Sequence, residues 1–179
     1  MVRTLGVIGC GAGGVEGLRD GLVEPAIGRG WRVAVTLTPT AGAWLRAIGE
    51  VERIAQATGL PCRVEARLPG EGRPHPDVDC YVACPATANT VVKLALGIAD
   101  NQALTTLGEA IGTPGVPVAV FPKINATQVR HPAWQSHVDT LRAAGVHLLL
   151  DDQLAARGPR SGLGIPWAGV LDTVETITT

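Results

Sequence analysis

Apolar positions in this chain fall into short continuous runs that alternate with stripes of helical spacing. Thr4–Gly9 (TLGVIG) is an unbroken apolar run closed by glycine, which predicts a strand buried on both faces. Val15–Ile27 places Val15, Leu18, Leu22, Val23 and Ile27 on one helical side, with Pro25 expected to kink that helix or end it early. Trp31–Leu37 predicts a second strand. Thr40–Ile48 predicts a helix through Ala41, Trp44, Leu45 and Ile48, which Val51–Thr58 continues after Gly49. Cys62–Leu68 alternates and predicts a weaker strand, and Pro69–Pro76 is a loop by its Pro and Gly content. Asp79–Asn101 then reads as a strand (Cys80–Cys84), a turn (Pro85–Thr90) and a helix carrying Val91, Val92, Leu94, Ala95 and Ile98. A helix over Gln102–Ile111, a strand over Val116–Phe121 and a helical region from Ala126–Val129 to Ala144 follow. That region is broken at His131-Pro132 and closed by Gly145. A last strand at Val146–Leu150, a flexible loop at Asp151–Pro166 and a terminal helix at Trp167–Ile177 complete the pattern.

Strands that are continuous apolar runs, alternating with helices, predict an α/β fold: one doubly wound parallel sheet with helices on both faces. At 179 residues the chain suits a single domain over 1–179. In such a sheet ligands bind beyond the C-terminal ends of the strands. Four of these ends are polar or rich in glycine: Gly9–Gly14, Thr38–Thr40, Pro85–Thr90 and Pro122–Asn125. They are expected to converge on one site.

Composition narrows the function. A net charge of −1 argues against non-specific attraction to nucleic acid, and one Phe, one Tyr and four Trp make a poor stacking platform for single strands. The four cysteines, Cys10, Cys62, Cys80 and Cys84, form no CxxC pair and read as apolar residues rather than a disulfide framework. No secretory signal and no bilayer-length apolar run is visible, so a cytoplasmic protein with no membrane partner is expected.

Gly9, Gly11 and Gly14 fit GxGxxG between a strand and a helix, but the acidic residue expected about twenty positions later is missing. That favours a phosphate at this turn over a dinucleotide. The turn Pro85-Ala86-Thr87-Ala88-Asn89-Thr90 carries small and short polar side chains ahead of a helix. It reads either as an ordinary capped connection or as a place where backbone amides meet an anion or a flat ligand.

Pro85–Thr90 (PATANT) is similar to the PASANT motif of the homo-oligomeric, flavin-containing cysteine decarboxylases of the flavoprotein family. Lys93 and Gly97–Asn101 (GIADN) resemble the segment that follows it, and Phe121–Asn125 (FPKIN) resembles the start of that family's PxMNxxMW clamp. His131-Pro132-Ala133 and Leu141–Gly145 match the helix beyond. The resemblance runs from about residue 4 to 150. It implies a flavodoxin-like, Rossmann-like sheet that binds FMN between subunits and assembles as a homotrimer or dodecamer. Gly9, Cys10, Gly11 and Ala12 would hold the FMN phosphate, aided by the hydroxyls of Thr38 and Thr40. Pro85, Ala86, Thr87, Ala88 and Asn89 would line the isoalloxazine and ribityl, and Asn125 would bind a substrate carboxylate or amide. The implied reaction is oxidative decarboxylation of a C-terminal cysteine, in a small peptide of modified-peptide biosynthesis or in a cysteine-containing small molecule. Relatives act in coenzyme A synthesis or prenylate flavin.

The chain departs from that pattern in three ways. The family's base is a histidine ahead of the PASANT strand, and the candidate here, His75, stands ten positions before Pro85 in a Pro-rich loop. It reads equally as a solvated loop residue. The clamp's Met–Trp pair falls on Gln128 and Val129, and no second synthetase domain is expected. A flavoprotein without decarboxylase activity, acting as a binding or partner subunit, is therefore the second reading, and a flavin prenyltransferase using Arg157 and Arg160 a third. His131, His137 and His147 share no metal spacing and read as structural; Trp31, Trp44, Trp134 and Trp167 read as packing or interface residues.

Overall fold

The computed structural model describes residues 2–150 and 164–179. Five strands run parallel in the order β2-β1-β3-β4-β5: β1 (Thr4–Gly9), β2 (Arg32–Leu37), β3 (Cys80–Ala86), β4 (Val118–Pro122) and β5 (His147–Leu148). This is the flavodoxin-like order, with its switch point between β1 and β3. β1 is buried at every position, as its unbroken apolar run requires.

The helices are α1 (Glu24–Gly28), α2 (Pro39–Ala47), α3 (Glu50–Thr58), α4 (Ala88–Ala95), α5 (Gln102–Ile111), α6 (Ala126–Val129), α7 (Trp134–Ala143) and α8 (Trp167–Ile177). They cover both faces of the sheet. One core joins Leu5, Val7, Val33, Val35, Val82 and Cys84 to α1, α2, α3 and α8. The other joins Ile8, Ala83, Val118 and Val120 to α4, α5 and α7.

Three local expectations are corrected. Cys62–Leu68 forms no strand: Arg63 makes an isolated parallel bridge to Thr36, with its amide on Val35 O (2.9 Å) and its carbonyl receiving Leu37 N (2.7 Å). The alternation is real, but the chain leaves the edge of β2 at once. The segment Pro85–Thr90 is not a six-residue turn. β3 continues to Ala86, because Cys10 N donates to Pro85 O (3.0 Å) and Lys123 N donates to Ala86 O (2.8 Å), and α4 begins at Ala88. Pro25 neither ends nor breaks its helix. A 3-10 turn (Val15–Gly17) and a wider π turn (Arg19–Val23) precede it, and α1 then carries Pro25 in its first turn, where a missing N–H has no consequence.

Candidate active site

The sheet lines up its polar ends. Beyond the strand registers, Thr38 N donates to Gly9 O (2.9 Å), Cys10 N to Pro85 O and Lys123 N to Ala86 O, so the exits of β2, β1, β3 and β4 are laced side by side. The exits of β2, β3 and β4 turn quickly into capped helices, and α5 is capped where it follows α4; the β1 exit passes through Gly11–Gly14 into a 3-10 turn with no side-chain cap. Thr38 caps α2, its Oγ1 accepting from Ala41 N (3.4 Å). Thr87 caps α4, its Oγ1 accepting from Thr90 N (3.1 Å) and meeting Thr90 Oγ1 at 3.0 Å. Asn101 caps α5 through Leu104 N (3.1 Å). Asn125 caps α6 in a capping box with Gln128, at 3.0 and 3.1 Å.

A cavity of about 420 Å³ opens where the first three of these caps meet. Gly11, Thr38, Thr40, Thr87, Asn89 and Asn101 line it. Thr40 N of α2, whose first residue is Pro39 and has no N–H, and the first two amides of α4 and α5 have no acceptor within their own helices, so three helix N-termini supply donors and positive potential to one space. Lys93 also lines it, but is ion-paired to Asp100, whose carboxyl that hydrogen bond holds below its ordinary value. Among the described residues, the groups there that could meet an anion are thus helix ends and hydroxyls rather than a free cation. Gly11 is required by space: a Cβ there would lie 2.5 Å from Thr40 Cγ2.

The remaining expected cofactor residues take up framework positions. Gly9 is packed beneath the site, where a Cβ would meet Leu37 and Leu18 at 2.8 and 2.9 Å. Cys10 is fully buried. Burial pushes its thiol up to about 11, against the hydrogen bonds it makes with the Thr90 hydroxyl and the Thr87 backbone. Ala12 is buried in a tight turn, its amide on Cys10 O (2.7 Å). Pro85 and Ala86 are buried strand residues, whose carbonyls hold β1 and the β4 exit in place.

Ala88 and Asn89 face a second cavity of about 500 Å³, between α4 and α7, whose wall is mostly carbon. Thr127, Gln128, His131, Trp134 and His137 complete it. Three of the four polar strand ends thus line two neighbouring cavities that share Asn89; no residue of Pro122–Asn125, Asn125 included, lines either. His131, Trp134 and His137 were read as structural from the sequence; their spacing of three, which puts them on one side of α7 and its lead-in, was the available signal. Thr90, Lys93, Asp100 and Asn101 were visible as motif letters but not as site residues.

His75 sits elsewhere. It lines a third cavity, of about 370 Å³, with Arg63, Tyr81 and residues of α5. Its Nε2 lies 2.7 Å from Pro61 O, so Nε2 carries the proton and donates, leaving Nδ1 as the open acceptor of the neutral ring. Burial holds its pKa below the ordinary histidine value, opposed by the Pro61 bond and helped by the charge of Arg63. Arg157 and Arg160 lie outside the described residues. Among those described, no group of histidine, cysteine and carboxylate residues could hold a metal. No helix there is long and apolar enough to cross a membrane.

The sequence profile of the flavoprotein family matches residues 50–176. The chain belongs to that family. Flavoprotein sequences similar to it include a cysteine/cysteine sulfinic acid decarboxylase of an unidentified prokaryote. It is 37% identical over 102 residues, covering 54% of this chain and 27% of that protein. The coenzyme A biosynthesis bifunctional protein CoaBC of Thermococcus kodakarensis is 31% identical over 96 residues, covering 54% of this chain and 22% of that protein. The matches thus span 27% and 22% of these curated relatives. Among solved structures, HAL3 from Cryptococcus neoformans superposes with a TM-score of 0.75 at 19% identity, covering 99% of this chain and 96% of that one. The epidermin biosynthesis protein EpiD from Staphylococcus aureus gives 0.71 at 20%, covering 96% and 100%. The FMN-dependent cysteine decarboxylase SpaF gives 0.67 at 23%, covering 100% and 98%. These likenesses confirm the flavodoxin-like fold of the flavoprotein over nearly its whole length.

Proposed function

We propose that this flavoprotein binds FMN and decarboxylates a C-terminal cysteine oxidatively, on a small peptide of modified-peptide biosynthesis. The observation that carries the reading is the cavity where three helix N-termini and the Thr38, Thr40 and Thr87 hydroxyls meet at the strand ends. Its volume lies in the range of small-molecule sites, and its donors are those a phosphate monoester needs. Thr38 and the amides of Gly11 and Thr40 would hold the phosphate. Asn89, reaching both cavities, would orient the ring system toward the carbon-walled space beside α7.

When bound, FMN supplies a two-electron acceptor for the substrate's cysteinyl carbons. The balance is one carboxylate lost as carbon dioxide and two hydrogens removed, leaving an enethiol. The chain's own residues position and exclude water. Trp134 and Val92 make one wall apolar, and Gln128 and the imidazoles of His131 and His137 set polar atoms in it. Asn125 caps α6 through Oδ1; its role would be to fix that helix and to offer its amide nitrogen to the substrate. His75, held neutral with Nδ1 open, has the protonation of a general base. The family resemblance puts FMN between subunits, and a homo-oligomer would be needed to bring the His75 cavity to a neighbour's strand ends.

The second reading is a flavin-binding partner subunit that turns nothing over. The placement of His75 in a separate cavity, and Gln128 in a clamp position, favour it. Steady-state turnover of a cysteine-terminated peptide by the flavin-loaded parent protein separates the two, and the His75→Ala variant then tests the base. As base, His75 contributes about 10²- to 10⁴-fold to the rate. Full turnover in the variant would remove it from the site.

A further inference from the structure

The third cavity, which holds His75, also carries a set of cations that the flavin reading does not use. It lies over the part of the sheet where Gly6, Ala34 and Thr36 present no bulk, and the segment from Arg63 to Val78 closes it. Three guanidinium groups line it: Arg63, Arg67 and Arg73. Arg73 has a carboxylate within reach, Asp77 at 3.7 Å, in a fully exposed pair. Arg67 donates to a neutral partner, the Glu71 carbonyl, at 2.6 Å. Arg63 is half-buried beside Arg67, and burial together with that like charge holds its guanidinium below its ordinary value. A half-buried cation next to a second cation is an unfavourable arrangement unless an anion joins them. The opposite wall offers donors on α5 and β3: the Thr106 hydroxyl, which accepts from Gln102 Nε2 (2.9 Å), the second amide hydrogen of Gln102 and the phenol of Tyr81, whereas the Thr105 hydroxyl donates to Asn101 O (3.1 Å). The lining acids are Asp77 and Glu109, so three guanidinium groups face two carboxylates.

We infer that this cavity is a binding site for a small oxyanion, a carboxylate or a phosphate monoester, with Arg63 as its central cation. Guanidinium groups recognise planar and tetrahedral oxyanions through paired N–H donors. The excess of one positive charge favours a compact ligand over a highly charged polymer. The site is separate from the strand-end cavity, with which it shares no lining residue.

The test is calorimetric titration of the full chain with inorganic phosphate and, separately, with acetate. The protein is first loaded with FMN and the free excess removed, so that the strand-end cavity is filled wherever it binds flavin and no free phosphate monoester competes for the arginine cavity. The expected result is saturable binding of at least one anion, weakened about tenfold or more in Arg63→Gln, as loss of a charge-assisted hydrogen bond requires. Arg63→Lys recovers part of it, and Arg53→Gln on α3 leaves it unchanged. Tighter binding of phosphate than acetate identifies a phosphate monoester as the ligand class, and the reverse a carboxylate. No saturable binding of either anion, or binding that Arg63→Gln does not weaken, overturns the inference. Flavin uptake and decarboxylation are read independently, by absorbance and product mass, so failure of this inference and failure of the flavin reading are distinguishable.

Discussion

Thr38→Ala separates the ligand role of the strand-end cavity from its structural role. Thr38 is buried, yet its Oγ1 lines the cavity and its cap bond to Ala41 N is long, at 3.4 Å. A bond of that length is weak, so losing it costs about 0.5 kcal/mol, the low end for a helix cap. A hydroxyl donating to an ionised phosphate is worth about 1.5–3 kcal/mol. Because the cavity is open to water, the lower figure applies, which is about a tenfold loss of FMN affinity. Thr87→Ala provides the contrast. Its cap bond is shorter, at 3.1 Å, and Oγ1 also meets Thr90 Oγ1, which in turn engages Cys10. That change should cost about 1–2 kcal/mol of stability. The assay pairs flavin-fluorescence titration with urea unfolding of the flavin-free protein. Thr38→Ser, which keeps the hydroxyl, should bind FMN like the parent. The reasoning is refuted if Thr38→Ala binds FMN as tightly as the parent protein, or if its stability falls as far as that of Thr87→Ala with flavin affinity untouched.

Glu50 is nearly buried and accepts from Arg19 Nε (2.9 Å) and an Arg53 guanidinium nitrogen (2.7 Å). Burial raises its pKa, but the two arginine bonds and charges outweigh that and hold it below the ordinary value. A depressed carboxyl pKa gives stability that is full above the unfolded value and fades as pH falls through the folded one. Glu50→Gln should therefore cost about 1–3 kcal/mol at pH 7, less than a fully buried pair because Arg53 is exposed, and should flatten the decline on acidification, read by urea midpoints between pH 7 and pH 3. Thiol labelling of the native protein at pH 8 with a chromogenic disulfide should be slow at all four cysteines. Burial pushes Cys10 up to about 11, Cys62 and Cys80 to about 12, and Cys84 higher still. Rapid labelling of Cys10 in the folded protein would show that the turn over it opens.

The order of elements was legible because each strand is a short apolar run bounded by Gly or Pro and each helix keeps one apolar face. Gln102–Ile111 and Trp167–Ile177 were read to the residue. The strand-end cavity was legible in outline for a topological reason: polar strand ends in a parallel sheet must share one side. What escaped depends on contacts distant in sequence. The extension of β3 through Pro85 is held by Cys10 and Lys123, residues no local pattern links to it. The alternation of Cys62–Leu68 indicated a strand, but one bridge to β2 is all the sheet edge gives it. The arginine cavity was invisible because Arg63, Arg67 and Arg73 have no common periodicity; the fold of their loop against α5 brings them together. Nor does any local pattern link Gly21 to Trp167, whose ring would lie 2.5 Å from a Cβ placed there.

The central claim, FMN-dependent decarboxylation of a terminal cysteine, is tested most directly by mass spectrometry. The purified, flavin-loaded protein is incubated with a short peptide ending in cysteine. The account predicts a product lighter by carbon dioxide and two hydrogens, absent when the peptide ends in serine. A yellow, folded protein that leaves the mass of every cysteine-terminated peptide unchanged would contradict it.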